Sequence, residues 1–115
     1  MKIGVPSEVK VHEGRVAITP AGVRELVSRG HEVRIQVGAG RGSGITDELF
    51  SGAGAAMVDS ASGVWASSEM IIKVKEPVVS EYELIGENQT IFTYFHLAAV
   101  PDLAPVLLER RVTAV

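Results

Sequence analysis

The chain has 115 residues, 46% of them hydrophobic, and a formal net charge of −3, which suits a single domain. The acidic balance and the scattered basic residues argue against a nucleic-acid partner, and the absence of cysteine excludes disulfide bonds, thiolate nucleophiles and cysteine-ligated metals. No apolar run approaches the roughly 20 residues of a membrane span, so we expect a soluble cytoplasmic protein with no membrane partner.

The first third of the chain predicts two strands separated by a helix. Residues 2–5 form a short apolar run that Pro6 closes. Thr19 then supplies a capping hydroxyl directly before Pro20, and apolar residues continue at helical spacing as far as Gly30. Residues 31–37 alternate between apolar and polar positions, which predicts a strand that is less buried and lies at an edge of the sheet.

Four glycines follow in the stretch 38–44, between this strand and a predicted helix. That context invites a nucleotide-binding interpretation, but a dinucleotide fingerprint needs glycines at its first, third and sixth positions. Neither Gly38 nor Gly40 as the first position places a glycine at the sixth, and no Walker-type Gly-Lys-Ser/Thr is present. We therefore expect a flexible turn from strand to helix rather than a cofactor site.

The rest of the chain continues the alternation of helices and strands. We expect helices over 47–52, 61–66 and 80–85, a last helix that Asp102 caps, and strands over 55–58, 71–74, 91–95 and 112–115. Pro105 falls in the first turn of the last helix, where its missing N–H is tolerated. Such alternation with short connections predicts an α/β fold with a doubly wound, mostly parallel sheet.

Two of these strands end abruptly in an ionisable residue, Lys75 in one and His96 in the other. In a doubly wound sheet both residues lie at the carboxyl edge, where such sheets bind ligands. Arg15 ends the polar loop after the first strand. An arginine fork and a lysine ammonium bind carboxylates, and an imidazole moves protons near neutral pH. The three residues together suit a 2-oxo acid, while solvated or structural charges remain the alternative for each.

The other polar residues indicate less. His12 and His31 fit surface positions, and the histidines and carboxylates do not recur at the spacing of metal ligands, so we expect no metal site. Glu8 is a candidate to orient Arg15 or Lys75 by a salt bridge, with simple surface pairing as the alternative.

At these residues the chain resembles the alanine dehydrogenase and nicotinamide nucleotide transhydrogenase family, in particular the N-terminal part of alanine dehydrogenases. The resemblance covers essentially the whole chain and is carried by residues 4–8 (GVPSE), 15–23 (RVAITPAGV), 30–33 (GHEV), 38–40 (GAG), 73–77 (KVKEP) and 95–99 (FHLAA). The last two motifs favour the dehydrogenase branch. The resemblance implies that Arg15 and Lys75 hold the substrate and that His96 is the acid/base group.

The reaction that this resemblance implies is the reversible, NAD-dependent oxidative deamination of L-alanine to pyruvate and ammonia. Members of the family continue into a Rossmann domain that binds NAD and then return to complete the first domain. Residues 1–115 therefore correspond to a truncated substrate-binding domain without the cofactor domain. We expect a chain that does not turn over alone, that leaves apolar surface uncovered, and that belongs to a homo-oligomer in the full-length family.

Two alternatives stay open. The first is an inactive truncated domain, or one that binds 2-oxo acids without turnover. The second is the N-terminal part of a nicotinamide nucleotide transhydrogenase subunit.

Overall fold

The structure is a computed structural model that describes residues 1–115, and it contains one open sheet of six strands, all parallel. The strands are β1 (Lys2–Val5), β2 (Glu32–Gln36), β3 (Ala56–Val58), β4 (Met70–Lys75), β5 (Thr90–Tyr94) and β6 (Thr113–Ala114). The α-helices are α1 (Pro20–Ser28), α2 (Asp47–Gly52), α3 (Ala61–Ala66) and α4 (Leu103–Glu109), and 3-10 turns span Arg41–Ser43 and Val79–Leu84. None of the helices has the length and apolar character that a membrane crossing requires.

The strand order is β3-β2-β1-β4-β5-β6, which confirms the predicted doubly wound α/β fold. The chain builds outward from β1 to β3, then crosses back to lay β4 on the other side of β1. The order of the strands therefore reverses between β1 and β4, and in such sheets the crevice that binds ligands opens at this reversal, outside the carboxyl ends of the strands.

The predicted first helix forms for the reason that its sequence suggests. The Thr19 hydroxyl accepts a hydrogen bond from the backbone N–H of Gly22 at 3.1 Å, and Pro20 occupies the first turn. The helix ends at Ser28, and Gly30 follows with a φ of 89°, a left-handed conformation that glycine adopts without strain. The N-terminal cap also fixes where the preceding loop, which contains Arg15, meets α1.

Apolar side chains cover the two faces of the sheet in separate clusters. One cluster packs α1 and α2 on Val5, Val33 and Ile35, and the other packs α3, the turn Val79–Leu84 and α4 on Ile71 and Ile91. Trp65 is 1% exposed in the second cluster. Since neighbouring side chains of a strand point to opposite faces, Ile71 joins one cluster while the next residue, Ile72, packs against the other.

The prediction of an edge position for β2 was wrong. β2 lies between β3 and β1, and the edges are the three-residue β3 and the two-residue β6. The alternating pattern of β2 arises because one face of this strand is polar, not because the strand lacks a neighbour on one side. On the polar face Gln36 Oε1 accepts the backbone N–H of Ser7 at 2.9 Å, and Arg34 pairs with Glu32. Polar residues on one face say nothing about how many neighbours a strand has.

Two further predictions need correction in detail. The helix expected over 80–85 is a 3-10 turn at Val79–Leu84. Asp102 does occupy the N-cap position of α4, but its side chain makes no capping hydrogen bond. Its backbone is already helical, with φ −71° and ψ −17°, whereas a residue whose side chain accepts an N–H of the first turn has an extended backbone.

Candidate functional site

The carboxyl edge of the sheet collects the ionisable residues that the sequence singles out. β4 ends at Lys75, which pairs in register with Tyr94, the last residue of β5. His96 follows two residues later, with a φ of 50° that turns the chain away from the strand direction. Arg15 lies on the loop between β1 and α1. Because all of these strands are parallel, the three residues leave the sheet at one edge.

Arg15 is held by a neighbour in the same loop. Its Nε donates to Glu13 Oε2 at 2.9 Å and its Nη2 to Glu13 Oε1 at 2.7 Å, and its backbone N–H also donates to Oε2 at 2.9 Å. These bonds lower the pKa of Glu13 to about 2 and raise the pKa of Arg15. The pairing occupies one edge of an otherwise exposed guanidinium, so Nη1 is left for an incoming carboxylate.

Lys75 lies within electrostatic reach of the same carboxylate. After the hydrogen bonds from Arg15, the positive charge of Lys75 is a smaller cause of the low pKa of Glu13. No hydrogen bond or ion pair engages the ammonium group of Lys75. The Glu13 carboxylate therefore feels the positive charge of Lys75 as well as that of Arg15, and the ammonium of Lys75 has no partner within the protein.

His96 is paired with a carboxylate that the sequence analysis did not single out. Its Nδ1 lies 3.2 Å from Oε2 of Glu76, whose side chain is 1% exposed, and the other oxygen of Glu76 accepts from the ammonium of Lys10. Burial by itself raises the pKa of Glu76, but the hydrogen bonds from Lys10 and His96 prevail and the pKa is lowered. The imidazole is half-exposed, and its Nε2 makes no hydrogen bond within the protein.

The salt bridge expected from Glu8 to Arg15 or Lys75 does not form. Glu8 is not a surface residue either, since its side chain is 2% exposed. Its carboxylate instead accepts the backbone N–H groups of Val74 and Lys75 and lies 3.4 Å from Lys73 Nζ. Arg15 is satisfied by Glu13, which lies closer in the same loop.

The polar segment 7–14 thus supplies Glu8, Lys10 and Glu13, none of which the sequence analysis assigned to these partners. The signal that could have found these three residues is density of charge, since with His12 they make four ionisable residues in a short loop that follows a strand ending at the carboxyl edge. Each of the three contacts a different part of the site, respectively the end of β4, Glu76 and Arg15.

An open cleft of about 440 Å³ lies beside Arg15, against the face of β4 and β5. Most of its wall is apolar and includes Ile18, Ile45, Ile72, Val74, Phe92 and Tyr94. The cleft combines two charged lining residues, the exposed Arg15 and the buried Lys73, with apolar walls, as small-molecule sites do.

The glycine-rich stretch does not fit a dinucleotide. A Cβ on Gly40 would lie 2.6 Å from the carbonyl oxygen of Ile45, so this glycine serves packing within the turn. The N–H of Gly38 donates to Asp47 Oδ1 at 2.9 Å, and the following helix has Asp47 and Glu48 in its first turn, where a phosphate would meet negative charge. The expected turn from strand to helix is confirmed, and no cofactor step is assigned to it. No group of three or more histidine and carboxylate side chains is arranged to hold a metal ion.

Comparison with known proteins places this arrangement in a family. The family model "Alanine dehydrogenase/PNT, N-terminal domain" matches residues 4–115. The chain is 54% identical over all 115 residues to an alanine dehydrogenase of Methanococcus maripaludis and 51% identical to one of Mycolicibacterium smegmatis, and it spans 31% of the length of each.

Solved structures agree with this result. The fold superimposes on a structure of L-alanine dehydrogenase with a TM-score of 0.97 at 47% identity, covering 100% of this chain and 32% of the other. A transhydrogenase structure from Sinorhizobium meliloti gives a TM-score of 0.91 at 24% identity, covering 99% of this chain and 34% of the other, a likeness that extends to the fold alone. The chain therefore belongs to the alanine dehydrogenase/PNT N-terminal domain family.

Proposed function

We propose that residues 1–115 are the substrate-binding domain of an NAD-dependent alanine dehydrogenase, which interconverts L-alanine with pyruvate and ammonia. The observation that carries this proposal is the convergence of Arg15, Lys75 and His96 on one edge of the sheet. Further support comes from the alanine dehydrogenases to which the chain is about half identical. Since the chain spans 31% of those relatives, the activity of the whole protein is part of the proposal.

In this proposal Arg15 and Lys75 bind the substrate. The Nη1 edge of Arg15 is not engaged by Glu13 and would bind the carboxylate of pyruvate or alanine. The ammonium of Lys75, which has no internal partner, would donate to the same carboxylate or to the keto oxygen. Two cationic groups that bind the oxygens of a 2-oxo acid would fix its orientation, which is what a reaction at its central carbon needs.

His96 would move a proton at the substrate oxygen. The Glu76 carboxylate at Nδ1 orients the ring and leaves Nε2 facing away from this pair. In the direction of amination, Nε2–H donates a proton to the hydroxyl oxygen of the carbinolamine formed from pyruvate and ammonia, and water leaves; in the reverse direction it takes a proton from the attacking water. We assign no step of hydride transfer to these residues.

Binding of pyruvate to the labelled chain tests the proposal. Two-dimensional NMR follows the His96 ring and the amides near Lys75 as pyruvate is added, in the wild type, in Arg15→Ala and in Arg24→Ala. Arg24 is an exposed arginine on α1 that makes none of the ion pairs of the site and serves as the matched control. We expect saturable shifts in the wild type and in Arg24→Ala, and affinity weaker by about tenfold or more in Arg15→Ala, because a charged hydrogen bond is lost.

Two results would contradict the proposal: a folded wild-type chain whose spectrum does not respond to pyruvate, or a response that Arg15→Ala leaves unchanged. Binding without any turnover by the full-length protein would instead favour a domain that only binds 2-oxo acids. Formation of NADH from alanine and NAD by the full-length protein, and its loss in His96→Ala, separates these two functions.

A further inference from the structure

The side chain of Glu8 connects the loop after β1 to the end of β4, at the point where the strand order reverses. It lies three residues beyond the end of β1, and its carboxylate accepts from the backbone N–H of Val74 at 3.0 Å and from that of Lys75 at 3.0 Å, each with a different oxygen. β1 itself pairs with β4 only at Met70 and Ile71. One buried side chain therefore replaces the backbone hydrogen bonds that a longer β1 would have made to the end of β4.

The end of β4 is irregular at this place. β4 advances from Ile72 to Lys75 while β5 advances only from Phe92 to Tyr94, so β4 contains one extra residue. In a regular strand consecutive N–H groups point to opposite sides, and one carboxylate cannot accept from both. The bulge turns the N–H groups of Val74 and Lys75 toward the same side, and the carboxylate of Glu8 binds this pair.

Glu8 is itself held by buried charges. Lys73 Nζ lies 3.4 Å from Glu8 Oε1 and 3.1 Å from Glu81 Oε2, and the three side chains are 1% to 4% exposed. Burial raises the pKa of Glu81, against the opposing charge of Lys73. Burying three ionisable groups is costly, and it is not needed to close a core that apolar residues fill on both faces of the sheet. The arrangement does, however, hold the Glu8 carboxylate in one position.

We propose that Glu8 is a positioning residue for Lys75: its carboxylate holds the bulge at the end of β4 and so sets the direction in which the Lys75 side chain leaves the sheet. This inference rests on the proposed function, in which Lys75 binds the 2-oxo acid. The Glu8 carboxylate contacts no substrate in this scheme and acts only through the backbone of β4. Lys73 neutralises and fixes Glu8 and is itself paired with Glu81, and neither Lys73 nor Glu81 makes a hydrogen bond to the Lys75 backbone.

The test compares Glu8→Gln with Glu81→Gln in the 115-residue chain. Both substitutions remove one buried negative charge beside Lys73 and keep the size of the side chain, but only the first replaces an acceptor oxygen of the bulge by an NH₂ group. We expect Glu8→Gln to weaken pyruvate binding about tenfold and to displace the amide resonances of Val74 and Lys75. Glu81→Gln should leave both amide resonances in place and the affinity within about twofold of the wild type.

Thermal unfolding of both variants separates positioning from stability. A Glu8→Gln chain that binds pyruvate as tightly as the wild type would overturn the inference. The inference would also fail if Glu8→Gln and Glu81→Gln lost the same affinity for pyruvate and the same Tm. If Glu8→Gln does not fold, Glu8→Asp keeps the charge but is one methylene too short to reach both N–H groups. A folded Glu8→Asp with unchanged affinity and unchanged Val74 and Lys75 amides is then the refuting result.

Failure of the proposed function gives a different pattern. A wild-type chain that ignores pyruvate refutes the proposed function, and the position of Lys75 is then measured directly from its side-chain methylene resonances. Displacement of these resonances in Glu8→Gln, but not in Glu81→Gln, supports the positioning role without substrate. Identical Lys75 resonances in wild type and Glu8→Gln would refute it.

Discussion

At the level of single residues, the site depends on carboxylates that use both oxygens. Glu76 accepts from Lys10 and from His96, and Glu81 accepts from the Val78 N–H and from Lys73. Their pKa values shift in opposite directions. Burial tends to raise both, but Glu76 has hydrogen bonds with the ammonium of Lys10 and with His96 and its pKa is lowered, whereas Glu81 shares one ammonium with Glu8 and its pKa is raised.

Glu76→Gln should therefore destabilise the chain in a way that depends on pH. The lowered pKa means that the Glu76 carboxylate contributes stability above its ordinary pKa of 4.5, and that this contribution is lost as the pH falls through the folded-state value. We expect the free energy of unfolding to fall by about 1–3 kcal/mol at pH 7 and the difference from wild type to shrink at acid pH. Urea unfolding at a series of pH values measures this.

Glu81→Gln is the control, because the pKa of Glu81 is shifted in the opposite direction to that of Glu76. Because the pKa of Glu81 is raised, its side chain contributes stability that is complete below pH 4.5 and is lost as the pH rises through the folded-state pKa. Relative to the wild type, the free energy of unfolding of Glu81→Gln should therefore be most favourable at neutral pH. Equal destabilisation of Glu76→Gln at pH 7 and at acid pH would show that the carboxylate charge is not what its neighbours recognise.

At the level of elements, the loop after β1 is held against the loop after β2. The hydroxyl of Ser43 donates to the carbonyl oxygen of Gly14 at 3.0 Å, one residue before Arg15. Gly42 approaches the same backbone so closely that a Cβ would lie 2.5 Å from the Gly14 carbonyl oxygen. The glycine-rich stretch, which does not fit a nucleotide, instead serves to set the place of the loop that contains Arg15.

Gly42→Ala should displace this loop. The new methyl group meets backbone atoms that have no rotamer with which to move aside, so we expect a loss of about 1–3 kcal/mol in the free energy of unfolding and weaker pyruvate binding through Arg15. Gly52→Ala is the matched control, because Gly52 lies in α2 and, apart from the backbone of that helix, no atom lies within 4 Å of the place that a methyl group would take. Alanine is favoured over glycine in helices. Similar unfolding curves and affinities for the two variants would contradict this role of Gly42.

At the level of the whole molecule, the two faces of the sheet are covered unequally. The turn Val79–Leu84 and α4 pack on one face of β4 and β5. On the opposite face Phe92 is 51% exposed and Tyr94 is 73% exposed, beside the half-buried Ile72 and Val74. Adjacent exposed aromatic residues on a strand face favour association, which agrees with the expectation of uncovered apolar surface.

The isolated chain should therefore self-associate through this face. Light scattering is expected to show a mass that rises with concentration in the wild type and rises less in Phe92→Thr/Tyr94→Thr, where threonine keeps the strand preference of both positions. Val79→Thr/Leu108→Thr, two apolar residues that are exposed elsewhere, is the control and should behave as the wild type. A wild-type chain that remains monomeric at high concentration would contradict the prediction.

Local patterns were enough to predict most of the elements. The capping hydroxyl before Pro20, the runs that end in Lys75 and His96, and the glycines after β2 all act over a few residues, and each led to an element that the structure contains. The edge position of β2 and the capping role of Asp102 failed, because each depends on a neighbour or a backbone angle that spacing does not specify.

By itself, the sequence determined the α/β class, the succession of strands and helices, the family motifs and the choice of Arg15, Lys75 and His96 as candidates. Only the tertiary structure decided the strand order and the pairing of buried carboxylates with the ends of β4 and β5. Glu8 meets the backbone of Lys75 across 67 residues, and Lys10 meets Glu76 across 66. Such pairs form because folding brings the carboxyl ends of parallel strands together, and no periodicity within a strand or a loop encodes which distant group will lie there.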